Sequence, residues 1–339
     1  MFILSDIINF AMDYRTKAKA RRKERQERNN PGELVSLPRH NLSETQVYQT
    51  GSNFNVAIER ATFEKFATLR SNSETLMASI GTCFAEEFSS FMKESKGELG
   101  KYLYVEHNVF NSSANWGRVY TIQNLLQIVQ YSLTEEMPVY IEETGKGFQD
   151  PLREYSVGFH SSKQDCFNEI ISHRKASKEV FTKTDILVIT LGQNEAWTDR
   201  ETNIIWGATP ELELRQRFSD RFQPTESNYS QNLIDLESIL DMLFQANENL
   251  KVILTVSPVA AGATFLDSDV ITQSFAGKCI IRSVVHEVKK KRINQVYYFP
   301  SFEMVLCNNP VSFLPDHRHV VRTKVHEIFT ILGKILSKN

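Results

Sequence analysis

The chain has 339 residues, 41% of them hydrophobic and 24% charged, with 39 Lys and Arg against 41 Asp and Glu. These are the proportions of a soluble globular protein, and they exclude collagenous, disordered and membrane-spanning classes. A formal charge of −2 also argues against a whole-surface electrostatic grip on nucleic acid, so no nucleic-acid partner is expected. The length suits either two domains of roughly 150 residues each or one large α/β unit. Cys83, Cys166, Cys279 and Cys307 stand far apart with no CxxC pair. Neither a disulfide framework nor a thioredoxin-like motif is expected, and a reducing, cytoplasmic compartment is the default.

In chain order, Phe2, Ile3, Leu4, Ile7, Ile8, Ala11 and Met12 recur at helical spacing, so residues 1–14 read as a short amphipathic helix. A basic run follows, with Arg21, Arg22, Lys23, Arg25 and Arg28. Residues 1–30 hold eight Lys or Arg and four Asp or Glu, a net of +4 that leaves −6 for the remainder. The apolar part is too short to span a bilayer, which takes about 20 residues. It also makes a poor signal peptide, because the basic residues follow the apolar ones and no small-residue cleavage site is evident. Two readings stay open: an interfacial helix that makes peripheral membrane contact through residues 1–28, or a charged helix that is solvated or docked on its own domain. Asn29-Asn30-Pro31-Gly32 breaks this helix, and residues 31–74 read as a loop-rich lead-in.

From about residue 75 short apolar runs alternate with longer helical stretches. Strands are predicted at 75–80, 185–191 (DILVITL), 251–257 (KVILTVS) and, more weakly, 296–299. Helices are predicted over 84–94, 119–133, 229–247, 268–290 and 320–337. Such alternation implies a parallel sheet with helices on both faces, where sites gather at the carboxyl ends of the strands.

Three strand ends or loops carry chemistry-bearing residues. After the first strand, Gly81 permits a sharp turn and Cys83 falls at the start of the next helix. Helix-terminal amides there would favour a thiolate and lower the thiol pKa; the alternative is a small apolar cysteine tucked under the turn. After 185–191 comes Gly192-Gln193-Asn194-Glu195. Gln193 or Asn194 could donate to a developing oxyanion, although Gly and Asn also follow strands for turn reasons alone. Near the C-terminus, Asp316 stands three residues before His319, on a turn read as opening a helix. That spacing can hold an imidazole in one tautomer while its other nitrogen faces a nucleophile. His317 and His319 without further clustered His or Cys make no zinc pattern, so neither metal nor cofactor is expected.

Taken together, SIGTCFAEEF (79–88), NWGRVYTIQNLLQ (115–127), FQDPLR (148–153), ILVITLGQNEAW (186–197), LTVSPVAAGATF (254–265), YYFPSFEMV (297–305) and DHRHV (316–320) resemble the bacterial GSCFA-domain proteins, relatives of the SGNH (GDSL-like) hydrolases. The likeness runs over roughly residues 75–330 and leaves the N-terminal 70 outside it. It implies one GSCFA domain over 75–339 with a three-layer α/β/α sandwich and a mainly parallel, flavodoxin-like sheet. Carried over by position, Cys83 takes the nucleophile's place, and Asp316 and His319 match the orienter and general base. The oxyanion hole would combine the Cys83 and Gly117 amides with the Asn194 side chain. Two departures stand out: Thr82 replaces the Ser of the family name, and Cys83 replaces the superfamily's Ser.

The function expected is an acyl ester hydrolase or O-acyltransferase acting through Cys83, on an acylated small molecule or a carbohydrate. The alternative is a non-catalytic module that holds a glycan or a protein partner in the same cleft. Thr82, Gln193, Glu195, Trp197, His160 and Arg318 are candidate substrate contacts. Arg153, Trp116, Phe299 and Phe302 are further candidates, the aromatic ones as stacking surfaces for a sugar.

Overall fold

The computed structural model describes residues 44–47, 53–107, 112–134, 137–307 and 312–337. The helix predicted within residues 1–30 lies outside them. The chain divides into residues 1–48, where one 3-10 turn at Glu44–Gln46 is described, and residues 49–339. The second unit opens with helix α1 (Asn53–Lys65), which falls inside the stretch expected to be loop-rich. Its apolar residues follow no clean helical stripe, and the helix is held by packing: Ile58 and Phe63 join the cluster that contains Phe66 and Leu69.

Five strands form the central sheet: β1 (Leu76–Gly81), β2 (Lys101–Tyr102), β5 (Ile186–Leu191), β9 (Lys251–Val256) and β10 (Val296–Tyr298). Their spatial order is β2-β1-β5-β9-β10, and every pairing is parallel. This is the flavodoxin-like order, whose direction of winding reverses between β1 and β5. Side chains alternate by the strand period. Ala78, Ile80, Leu187, Ile189, Leu191, Val252 and Leu254 face one side, while Met77, Ile186, Val188 and Ile253 face the other. Both faces are buried, which explains why β5 and β9 are apolar but for Thr190, Thr255 and the terminal Lys251.

On the first face lie α3 (Ile122–Leu133), α4 (Lys163–Lys183), α6 (Tyr229–Ala246) and α7 (Val270–Lys291). On the second lie α1, α2 (Cys83–Glu94), α8 (Ser301–Leu306) and α9 (Arg322–Ser337). The result is the three-layer α/β/α sandwich expected. Polar side chains cap five of these helices: Thr82, Thr121, Ser162, Asn228 and Asp269 each accept from a backbone amide in the first turn.

Two additions lie outside the central sheet. A hairpin joins β3 (Glu142–Thr144) to β4 (Gly147–Gln149), and an antiparallel sheet is built of β6 (Glu195–Asp199), β7 (Ile205–Trp206) and β8 (Phe222–Glu226), with α5 (Leu212–Arg217) between β7 and β8. The antiparallel sheet has its own small core of Leu152, Trp197, Ile204, Trp206, Leu214 and Phe222. Among the described residues no helix is long and apolar enough to cross a membrane.

Candidate active site

The site is built where the winding reverses, between the ends of β1 and β5. Gly81 (φ +135°) approaches β5 so closely that a Cβ would lie 2.2 Å from the Thr190 carbonyl oxygen. The Thr82 amide then donates to Thr190 Oγ1 at 2.8 Å, and the two threonine hydroxyls bond each other at 3.0 Å. Thr82 Oγ1 also accepts from the Phe84 amide and so caps α2. A Cβ on Gly192 would lie 2.4 Å from Thr82 Cγ2, so the loops after β1 and β5 touch, and Cys83 opens α2 beside them. Residues 117–120 lie across both loops: the Val119 amide donates to the Gly81 carbonyl at 2.8 Å, and the Tyr120 carbonyl accepts from the amides of Gly192 and Gln193. This extended segment is why α3 begins at Ile122 rather than at the predicted residue 119.

Cys83 is half-buried, and burial pushes its thiol pKa up. The Arg118 guanidinium and the Phe84 amide oppose that rise, while Glu86 and Glu87 add to it. The lowered thiol expected from the helix terminus is therefore corrected. Desolvation of a thiolate outweighs the terminal amides, and Arg118 is already paired with Glu86 Oε1 at 2.9 Å. A nucleophilic Cys83 would need a base to take its proton.

The Asp316–His319 pair forms as the spacing suggested, but on a loop rather than on the opening turn of a helix. Phe313 and Val320 bridge antiparallel, and α9 starts at Arg322. Asp316 Oδ1 accepts from the amides of Arg318 and His319 at 3.0 Å each, and Oδ2 meets His319 Nδ1 at 2.5 Å. These bonds hold the Asp316 carboxyl well below the usual carboxylate range. A carboxylate can only accept, so Nδ1 carries the hydrogen and Nε2 of the neutral ring is the basic nitrogen. That Nε2 lies 3.5 Å from Arg318 Nη1. Among the described residues no hydrogen bond joins His319 to Cys83.

Asn194 is buried and tightly held. Its Oδ1 accepts from Ser227 Oγ at 2.9 Å and Asn232 Nδ2 at 2.8 Å, and its Nδ2 donates to Glu226 Oε1 at 3.1 Å. One Nδ2 hydrogen is left for a ligand. Gly117 (φ +69°) is buried at the start of the bridging segment, against Glu154.

The GSCFA family model matches residues 76–331. The chain belongs to the GSCFA family. No curated protein matches it in sequence. In structure it is similar to a serine-to-alanine mutant of an acetyl esterase with bound acetate, at 11% identity and TM-score 0.37, over 76% of this chain and 94% of that one. It is also similar to a Bacteroides fragilis NCTC 9343 protein assigned as an acylhydrolase, at 12% identity and TM-score 0.33, over 82% and 92% of the two chains.

In this GSCFA protein a cavity of about 500 Å³ opens between the β5 loop, the antiparallel sheet and the start of α7. Gln193, Asn194, Glu195, Trp197 and Arg318 all line it, but Cys83 and His319 do not. Glu195 acts as a loop anchor: its carboxylate accepts from Thr264 Oγ1 at 2.6 Å and the Phe265 amide at 2.8 Å. Phe265 meets Trp197 edge-to-face at 5.0 Å, with the Arg215 guanidinium 5.1 Å from both rings. The buried indole nitrogens of Trp197 and Trp206 find no hydrogen-bond partner among the described residues.

Other candidate contacts have structural roles. Thr82 is 3% exposed and committed to its cap. Trp116 and Phe299 are fully buried, with Trp116 stacked on Phe181 and bonded to Ser177, so neither is a stacking platform. Phe302 is likewise part of the core. Arg153 is buried between Asp150 and Glu169, and His160 borders that same ion-pair group.

Two groups escaped the sequence reading. Tyr120 lines the cavity, and burial together with Glu154 raises its phenol to about 12. Lys278 is 3% exposed, and its Nζ donates to the carbonyls of Gly192 at 2.9 Å and Ser257 at 2.7 Å. Burial lowers its ammonium to about 8. A lysine inside an amphipathic helix gives no sign of this in sequence, because the inward pull comes from strand ends distant in the chain.

Proposed function

We propose that this GSCFA protein hydrolyses or transfers an O-acyl group through Cys83. His319 Nε2 takes the thiol proton, and the thiolate attacks the ester carbonyl carbon. The negative charge that develops on the carbonyl oxygen is held by the amides of Cys83 and Gly117 and by the free Nδ2 hydrogen of Asn194. Collapse breaks the ester C–O bond, and the proton on His319 goes to the departing alcohol. The acyl thioester left on Cys83 is then attacked by water or by an acceptor alcohol, whose proton passes to His319. Asp316 orients the ring throughout. The observation that carries this reading is the Asp316–His319 bond, which makes Nε2 the basic nitrogen. It belongs to the loop of Arg318, which lines one cavity with Gln193 and Asn194. A carbohydrate ester suits that cavity, where Phe265 and Trp197 offer aromatic surface and Gln193, Gln273 and Ser274 offer polar groups.

The test is mass spectrometry of intact protein after brief exposure to activated acyl esters and acyl thioesters, wild type beside Cys83→Ala. An adduct that maps to Cys83 and is lost in the variant is expected. Failure of every donor to leave one favours a second reading, a non-catalytic module that binds a glycan or partner. The raised thiol and the contact of Nε2 with Arg318 rather than Cys83 support that second reading.

A further inference from the structure

We infer that Lys278 is the electrostatic partner of Cys83, a buried ammonium beneath the ends of β5 and β9 that stabilises the thiolate once its proton has left. The inference rests on the reading of Cys83 as nucleophile. Lys278 sits in α7, 86 residues from Gly192 in sequence, yet its Nζ is drawn to the carboxyl edge of the sheet by the Gly192 and Ser257 carbonyls. Gly192 is the residue whose Cα abuts Thr82, the immediate neighbour of Cys83. Two of the three ammonium hydrogens are spent on carbonyl oxygens. Among the described residues no carboxylate pairs with this lysine; burial lowers its ammonium, and a charge on Cys83 opposes that fall.

The groups that face Cys83 explain why such a cation matters. Glu86 and Glu87 on its own helix disfavour the thiolate. From the segment before α3 come Arg118, already in an ion pair with Glu86, and Tyr120, a neutral phenol that a nearby thiolate would keep protonated. Lys278, from α7, is the cation in this group with no acid beside it. A buried ammonium without a counter-ion is costly to keep. Pairing it with a thiolate relieves that cost, so each charge favours the other. In the acyl-transfer step the thiol proton goes to His319 Nε2, Lys278 keeps its own three hydrogens, and no proton is exchanged between lysine and cysteine. Lys278 is thus a positioning residue for charge rather than a group that touches substrate.

The alternative is that Lys278 merely ties the strand ends together. Iodoacetamide labelling of the full chain from neutral to alkaline pH, with peptide mapping of each cysteine, separates the two. In Lys278→Met the labelling curve of Cys83 should move to higher pH, and its rate at neutral pH should fall about tenfold or more, while the exposed Cys279 is unchanged and Lys278→Arg stays near wild type. An unshifted Cys83 curve in Lys278→Met overturns the inference.

Because that variant could fail to fold, the reciprocal measurement leaves the lysine in place. NMR titration of ¹³C-labelled lysine should find Lys278 losing its proton at lower pH in Cys83→Ala than in wild type, since coupling between two sites is mutual. Identical titrations also overturn it. Neither readout requires ester turnover, so an inactive protein that shows the coupling would refute the acyl-transfer reading and leave the pair standing.

Discussion

The methyl group of Thr82 fills the space that a side chain at Gly192 would need, with a built Cβ 2.4 Å from Thr82 Cγ2. That contact sets how closely the loops after β1 and β5 approach, and therefore where Cys83 stands. Gly192→Ala should cost about 1–3 kcal/mol of stability through overpacking. Thr82→Ser, which removes only the methyl group, should cost about 1 kcal/mol alone. In the double variant the serine makes room for the alanine, so urea unfolding should show the two losses to be less than additive. Strict additivity would mean the loops do not bear on each other as described.

Asp316 should matter for rate rather than for stability, since it and His319 are both half exposed, with side chains 46% and 48% accessible. Asp316→Asn keeps the shape but no longer obliges Nδ1 to carry the hydrogen. Acylation of Cys83 by an activated ester should slow by about 10³–10⁴, the scale such an exchange reaches in serine hydrolases. Thermal unfolding should barely change. A rate near wild type would remove His319 from the role of base.

Glu86 works against the thiolate in two ways: its charge raises the Cys83 thiol, and it occupies Arg118. Removing that charge takes one acid away from the thiol and one partner away from Arg118, whose guanidinium lowers the thiol. The sign is a lower thiol pKa, hence a larger thiolate fraction at neutral pH and faster reaction. Glu86→Gln should increase alkylation of Cys83 about three- to tenfold, read by mass spectrometry. An unchanged rate would show that burial, not charge, decides the reactivity of this cysteine.

Trp197 and Phe265 touch each other but should respond differently to truncation. Trp197 is 8% exposed in the core of the antiparallel sheet, while Phe265 is 43% exposed at the cavity rim. Trp197→Ala should destabilise the protein by about 3–5 kcal/mol through an unfilled cavity. Phe265→Ala should stay within about 1 kcal/mol in denaturation, yet raise the KM for a carbohydrate ester. Unchanged KM in a folded Phe265→Ala protein would separate this rim from substrate binding.

Sequence by itself determined the layered sheet. A parallel strand buried on both faces reads as a near-continuous apolar run, and Ile186–Leu191 and Lys251–Val256 announce this without reference to anything distant. The Asp316–His319 bond was legible for a similar reason: both partners lie within one turn of chain, so spacing constrains their geometry. Helix α4 was not legible, because His173, Ser177 and Cys166 occupy its buried positions in place of a clear apolar stripe. The antiparallel sheet also hid itself. Its strands are short, β8 contains Pro224, and Asp199 is buried only because Arg221, from the turn before β8, reaches it at 2.6 Å.

Tertiary structure alone decided the electrostatics of the site. A helix start predicts an acidic thiol at Cys83, but the thiol's pKa follows from how much water remains and from which cations are already paired, and neither is written locally in the chain. Lys278 shows the same limit more sharply. Its head is buried by the carbonyls of Gly192 and Ser257, 86 and 21 residues away in sequence, so only the folded chain places that charge under the loop that packs on Thr82.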